Sequence, residues 1–117
     1  TGTSTVWEVR DGEVTQMPFD PLDVGIPRAT IEDLRGQDAT FNAAVVRRIL
    51  DGERTPVRDA VILNAAAGLV AYDQSASGTL VERMHFAAAR AEAAIDGGAA
   101  ANVLKSWIAL SAEGAAE

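Results

Sequence analysis

Cysteine is absent from the 117 residues, which excludes a disulfide framework and any thiolate metal site. Aromatic residues make up only 5% of the chain, a composition that suits close-packed helices rather than a sandwich of sheets. No apolar run approaches the roughly 20 residues that a bilayer span requires, and no signal peptide is visible. Basic residues are outnumbered: 10 Lys and Arg stand against 17 Asp and Glu, for a net charge of −7. They form no cluster, so the cationic face that nucleic acid or an anionic membrane requires is missing. A cytosolic location is the default expectation. There is one histidine, His85, and no initiator methionine. The opening Thr1-Gly2-Thr3-Ser4-Thr5 runs straight into a strand-like stretch, as expected after processing, by design, or from an internal cut through a larger protein.

What is present is apolar material: Ala, Val, Leu and Ile dominate a hydrophobic share of 48%, enough for one domain with a real core. Thr3–Arg10 alternates and carries the strand formers Val6, Trp7 and Val9. Asp11-Gly12 follows, a hairpin signal because a type I′ turn needs positive φ at both positions. Glu13–Phe19 returns as the second strand. Asp20–Arg28 reads as a connector, since Pro21 and Pro27 lack donors and Gly25 permits unusual backbone angles.

Helices fill the rest. Thr30 opens a short one, with Asp33 as capping-box acid and Gly36 as its stop. Asp38 is the next N-cap, ahead of Phe41, Val45 and Ile49 on one face, with Gly52 as the stop. Thr55 and Pro56 open a helix that runs to about Tyr72-Asp73, apolar on almost every side after Arg58 and Asp59. A helix apolar all round is normally buried all round, so this is the expected centre of the core, with Asn64 as an internal hydrogen-bonding post. Thr79 with Glu82 forms a capping box before a stripe of Leu80, Met84, Ala88, Ala91 and Ile95. Gly97-Gly98 breaks that helix. Ala99 to about Ser111 forms the last, with Val103, Leu104, Trp107 and Ile108 as its apolar face. The expected fold class is thus an α+β piece, mostly helical, with a hairpin over 1–19, a loop over 20–29, helices over 30–111 and a tail over 112–117. Together these make a single incomplete domain.

Groups that carry chemistry are sparse. His85 lies in a helix without an obvious partner and reads as a surface or partly packed residue. No nucleophile elbow, Walker loop or metal-binding His/Glu spacing occurs. Gly97-Gly98 follows a helix rather than a strand and reads as a C-cap, not a phosphate loop. Asp20 and Asp23 flank Pro21 and have the hard oxygens a divalent cation takes; turn bonding of the Asx type is the preferred reading. Glu32 and Asp33 suit the dipole of a helix start. The hydroxyls of Thr1, Thr3, Ser4 and Thr5 are placed to line a phosphate or sugar pocket, or are simply strand-compatible polar groups. The residues by themselves support an acidic, mostly helical domain with no self-contained active site.

Three stretches together carry a resemblance: TSTVWEVRDGEV (Thr3–Val14), MPFDPLDVGIPRA (Met17–Ala29) and LRGQDATFNAAVVRRILDGERTPVRDAVILNAAAGLV (Leu34–Val70). With the later AIDGGAAANVLKSWIALS (Ala94–Ser111) they resemble the C-terminal portion of the anthranilate phosphoribosyltransferases. The resemblance implies a partial α/β phosphoribosyltransferase domain, belonging to enzymes that use Mg²⁺ and phosphoribosyl pyrophosphate to modify anthranilate in tryptophan biosynthesis. It also implies a cytoplasmic homodimer for the complete enzyme, in which the remainder of the polypeptide is this chain's partner.

That family's diphosphate loop, Lys/Asn anchors, anthranilate contacts and Asp-Glu metal pair all precede the matching region. No catalytic, substrate-binding or metal-ligating residue is therefore expected here, no cofactor is expected on this chain alone, and it is expected to be inactive. Thr1 and Thr3, continuing the metal-binding turn, are at most adjacent to the site. The competing reading is a non-enzymatic helical interaction module. A pyrimidine-nucleoside phosphorylase fits less well, because its closing region differs.

Overall fold

The computed structural model describes residues 2–114. The chain begins with an antiparallel hairpin, β1 (Ser4–Arg10) and β2 (Glu13–Phe19), in the register Val6↔Met17, Glu8↔Thr15 and Arg10↔Glu13. Its turn has φ of 52° at Asp11 and 80° at Gly12, the two positive angles of a type I′ connection. Four helices follow: α1 (Ala39–Leu50), α2 (Pro56–Tyr72), α3 (Leu80–Asp96) and α4 (Ala99–Gly114).

Local chemistry fixes the helix starts. Asp38 accepts from the Phe41 N–H, Thr55 from the Arg58 N–H, and Thr79 from the Glu82 N–H while Glu82 accepts from Thr79 in return. Each bond satisfies a donor that the first helical turn leaves open. Pro56 occupies the first turn of α2, where no donor is lost. Between α3 and α4, Gly98 takes a φ of 79°, a left-handed angle that favours glycine.

The core forms where α2 lies along α3 and the hairpin and its following loop close over them. α3 contributes the expected stripe, with Leu80, Met84, Ala88, Ala91 and Ile95 all buried. The hairpin sends in Phe19, and the loop sends in Val24 and Ile26.

Several expectations are corrected. The segment 20–29 is not a plain loop: Pro21–Val24 makes a 3₁₀ helix capped by Asp20, and Pro21, Val24 and Ile26 are buried. The helix expected at Thr30 is a single 3₁₀ turn, Glu32–Leu34, although Thr30 and Asp33 do bond reciprocally. α4 extends to Gly114, so the tail expected over 112–117 is helical for its first three positions; residues 115–117 lie outside the described residues.

The largest correction concerns α2. It buries Arg58, Ile62 and Ala66 on one face only, and Asn64 is exposed, its amide donating back to the Ala60 carbonyl at 2.8 Å. Asn64 is therefore not a core post, because it lies off the face of α2 that carries Ile62 and Ala66 and is left exposed. α4 is similar. It buries none of its residues, and Val103 and Trp107 are each 68% exposed.

Candidate functional site

The residue expected nearest to any chemistry, Thr3, stands at the open end of the hairpin beside the start of the following loop. Its hydroxyl donates to Asp20 Oδ2 at 3.1 Å. Thr1, the other such residue, lies outside the described residues. Asp20 is a hub: beyond Thr3 it accepts from the Leu22 N–H at 3.1 Å and from the Arg28 guanidinium, while its own N–H donates to Asp23 Oδ2 at 3.0 Å. The Arg28 bonds, then the Leu22 amide, hold the Asp20 carboxyl down at about 2, because each favours the charged form. The same contact raises the Arg28 pKa.

This hub is a fastener rather than a reactive centre. Both Asp20 oxygens already accept bonds, and Asp23 completes the capping box of the 3₁₀ helix. The turn-bonding reading of Asp20 and Asp23 therefore accounts for both carboxylates. Among the described residues, no group of three or more His, Asp or Glu side chains is placed to hold a metal ion. Thr3 and Asp20 are brought together. His85 is exposed on the outer side of α3, and Glu32 is engaged by Arg35 at 2.6 Å on the surface. Gly97-Gly98 is the C-terminal stop of α3, with the Gly97 N–H donating to the Ala93 carbonyl.

Two buried arginines are the groups that reading the sequence missed. Arg58 is 1% exposed, yet it sits in the first turn of α2, where a positive charge opposes the helix dipole. Its Nη2 donates to Asp96 Oδ2 at 3.1 Å, and Nη1 lies 2.9 Å from Oδ1 without aligning for a second hydrogen bond. Asp96 is the last residue of α3, where a negative charge is equally misplaced. The two unfavourable placements neutralise each other across the α2–α3 contact. That mismatch of charge and helix end was the available signal, and it identifies a residue in need of a partner without saying which.

Arg83 repeats the pattern. It is 7% exposed near the start of α3, and it reaches Glu8 on β1 at 2.6 Å and the Gly78 carbonyl at 3.2 Å. The Arg83 hydrogen bond lowers the Glu8 pKa against the opposing effect of burial. From the neighbouring position on the same face of β1, Arg10 donates to the Ala76 carbonyl at 2.7 Å and the Gln74 carbonyl at 3.1 Å. The hairpin is thus fastened to the α2–α3 connection by Arg10 and to the start of α3 by Glu8.

Two clefts border these elements. One, of about 670 Å³, lies between Leu34–Gln37 and the apolar side of α1 and α2. The charges at its rim are already paired, Glu32 with Arg35 and Arg48 with Glu53. The other, of about 350 Å³, runs beside β1 and is floored by α2 and α3. Neither converges several uncommitted polar groups on one point, as a small-molecule site requires. Among the described residues, no helix is long and apolar enough to cross a membrane.

Comparison with known proteins gives the family. The family described as "Glycosyl transferase family, a/b domain" matches residues 1–101. The chain is 64% identical over 110 residues to an anthranilate phosphoribosyltransferase of Arthrobacter sp. (strain FB24), covering 94% of this chain and 31% of that protein. It is 54% identical over 111 residues to the protein of that name from Streptomyces avermitilis, covering 95% and 31%. For the one from Acidothermus cellulolyticus the identity is 55% over 108 residues, covering 92% and 30%. The chain therefore spans about a third of the length of the curated relatives it matches. With most of its length matched by the family and a hairpin-and-helix fold in keeping with part of an α/β domain, the chain belongs to this glycosyl transferase family.

Proposed function

We propose that this chain is the C-terminal, structural portion of an anthranilate phosphoribosyltransferase. The complete enzyme would transfer the 5-phosphoribosyl group of phosphoribosyl pyrophosphate to the amine of anthranilate, in the cytoplasm, as a step of tryptophan biosynthesis. The observation that carries this reading is the 64% identity to a protein of that name over nearly the whole chain.

Transfer of a ribosyl group asks for positioning and charge neutralisation more than for covalent help from the protein. In the complete enzyme Mg²⁺ would supply the neutralisation of departing pyrophosphate. Asp20 and Asp23, the two carboxylates that the sequence offers for such an ion, do not fit it. Asp20 is saturated by Arg28, Thr3 and the Leu22 amide, and Asp23 is committed to the Asp20 amide. By the family resemblance, we assign the metal and both substrates to the remainder of the polypeptide, this chain's partner in the enzyme, which we take to be a homodimer. This chain's part is to complete the domain and to fix the start of the hairpin through Thr3 and Asp20.

The test compares the purified 117-residue chain with the same chain joined to the two thirds of the Arthrobacter protein that it does not match. Anthranilate consumption is followed by fluorescence in the presence of phosphoribosyl pyrophosphate and Mg²⁺. The joined protein should turn over and the chain alone should not. Turnover by the chain alone, or a folded but inactive joined protein, overturns the reading. A start codon immediately before Thr1 in the parent gene would favour a free-standing interaction module instead.

A further inference from the structure

Alternate residues of a strand share a face, and on β1 it is Val6, Glu8 and Arg10 that are shielded while Trp7 and Val9 stay exposed. Only Val6 of the three is apolar. On β2, Val14 beside the turn is exposed as well. The half of the hairpin nearest Asp11-Gly12 is therefore seated by a carboxylate and a guanidinium rather than by apolar packing. Both lead to the segment between α2 and α3. Arg10 donates to the carbonyls of Gln74 and Ala76, and Glu8 pairs with Arg83, whose Nε donates to the Gly78 carbonyl. Two guanidiniums thus grip three alternate carbonyls of one short segment, and Glu8 ties the second of them to β1.

Among the described residues, the other hydrogen bonds of this segment are local. Gln74 Nε2 donates to the Ala71 carbonyl, Ser75 donates twice to Asp73 Oδ1, and the Ala76 N–H donates to the Asp73 carbonyl. None of its side chains is buried: Ala76 is half-buried, and Gln74, Ser75 and Ser77 are exposed. Space lies on both sides of it. Gln74 borders the cleft beside β1, Ala76 and Ser77 border one of about 250 Å³ against α3, and Val70 lines both. Gly78 closes the segment at a φ of 101°, a hinge that a side chain would strain. A segment with so little packing belongs to the low end of local stability, so its order depends on the two arginines.

We propose that residues 74–78 form a strap that closes when the hairpin is seated and opens when it lifts, with Arg10 and the Glu8–Arg83 pair as the clasp. Closed, the strap separates the two clefts; open, it lets them join over Val70. Because the same bonds hold both partners, the dependence is mutual: what orders the hairpin orders the strap, and what distorts the strap loosens the hairpin. The inference is independent of the proposed activity.

The experiment is hydrogen–deuterium exchange of the 117-residue chain, followed by mass spectrometry. Arg10→Met keeps the side chain's apolar stem and removes the donors to two carbonyls. Amides over 73–79 and over 4–10 should then both exchange about tenfold faster, the scale of a lost charge-assisted bond, while residues 84–95 of α3 exchange as in the parent chain. In return, Gly78→Ala, strained at its φ of 101°, should speed exchange over 4–10. Subtilisin, with cuts mapped by mass, gives a second readout: cleavage within 74–78 should come about tenfold sooner in Arg10→Met than in the parent chain. A faster strap beside an unchanged hairpin, or the reverse, overturns the proposal, as do equal cleavage rates. An equal acceleration in α3 overturns it too, since that marks loss of the fold rather than opening of the strap. Arg10→Lys keeps the charge without the fork that reaches two carbonyls; exchange identical to the parent chain would show that charge alone seats the hairpin and would refute the clasp. Every readout is independent of turnover, so an inactive enzyme would refute the proposed function and leave this inference standing.

Discussion

Substituting Asp96 by Asn removes one charge from the α2–α3 contact and leaves its partner stranded. Arg58 is 1% exposed, with its guanidinium 3.1 Å and 2.9 Å from the two Asp96 oxygens. Orphaning a fully buried charge costs about 3–5 kcal/mol, whereas losing one hydrogen bond to a charged group costs about 1.5–3 kcal/mol. The Asp96 side chain is 43% exposed, so water reaches the guanidinium from that side once the carboxylate is gone, and the lower range applies.

For a domain near this size each kcal/mol is worth about 4 °C, so Tm should fall by about 6–12 °C. Arg54, 3.7 Å from the same carboxylate and 77% exposed, does not rescue the pair, because it is a second cation. Urea denaturation at neutral pH, followed by far-UV circular dichroism, is the suitable assay, since both tryptophans are exposed and report poorly on the core. The double variant Arg58→Met, Asp96→Asn removes both charges and keeps the volume, so it should return to within about 1 kcal/mol of the parent chain. A loss below about 0.5 kcal/mol for Asp96→Asn, the range of an ordinary surface change, would refute the reasoning. A double variant as unstable as the single would refute it too.

The remaining predictions concern the core, a turn and pH. Ile62→Ala, at a position 1% exposed, should cost about 2–5 kcal/mol, while Asn64→Ala two residues on should stay within about 0.5 kcal/mol; equal losses in urea titrations would return Asn64 to the core. Gly98→Ala, forced to a φ of 79°, should cost about 1–2 kcal/mol, read as a fall in denaturation midpoint at unchanged slope. Asp20 has a folded pKa of about 2, below its ordinary 3.8. Its contribution is therefore complete above pH 4 and is lost as pH falls toward 2. Asp20→Asn should flatten the stability–pH curve in that window, and an unchanged curve would show that the Arg28 contact does not persist in solution.

What the sequence by itself determined is local. The I′ turn at Asp11-Gly12, the caps at Asp38, Thr55 and Thr79, and the stop at Gly97-Gly98 each depend on residues within about four positions of one another. The stripe of α3 was legible for the same reason, since its polar residues mark an outside. The closing and opening segments were likewise enough to indicate the family.

Only the tertiary structure decided which apolar faces are covered. The patterns of α2 and α4 are the same whether a neighbour lies against them or not, so burial was overestimated and Asn64 was misplaced. The ion pairs Arg58–Asp96 and Arg83–Glu8 join residues far apart in the chain, and nothing in a charge's local context names a distant partner. Helix ends answer to neighbours in sequence, while faces and buried charges answer to neighbours in space.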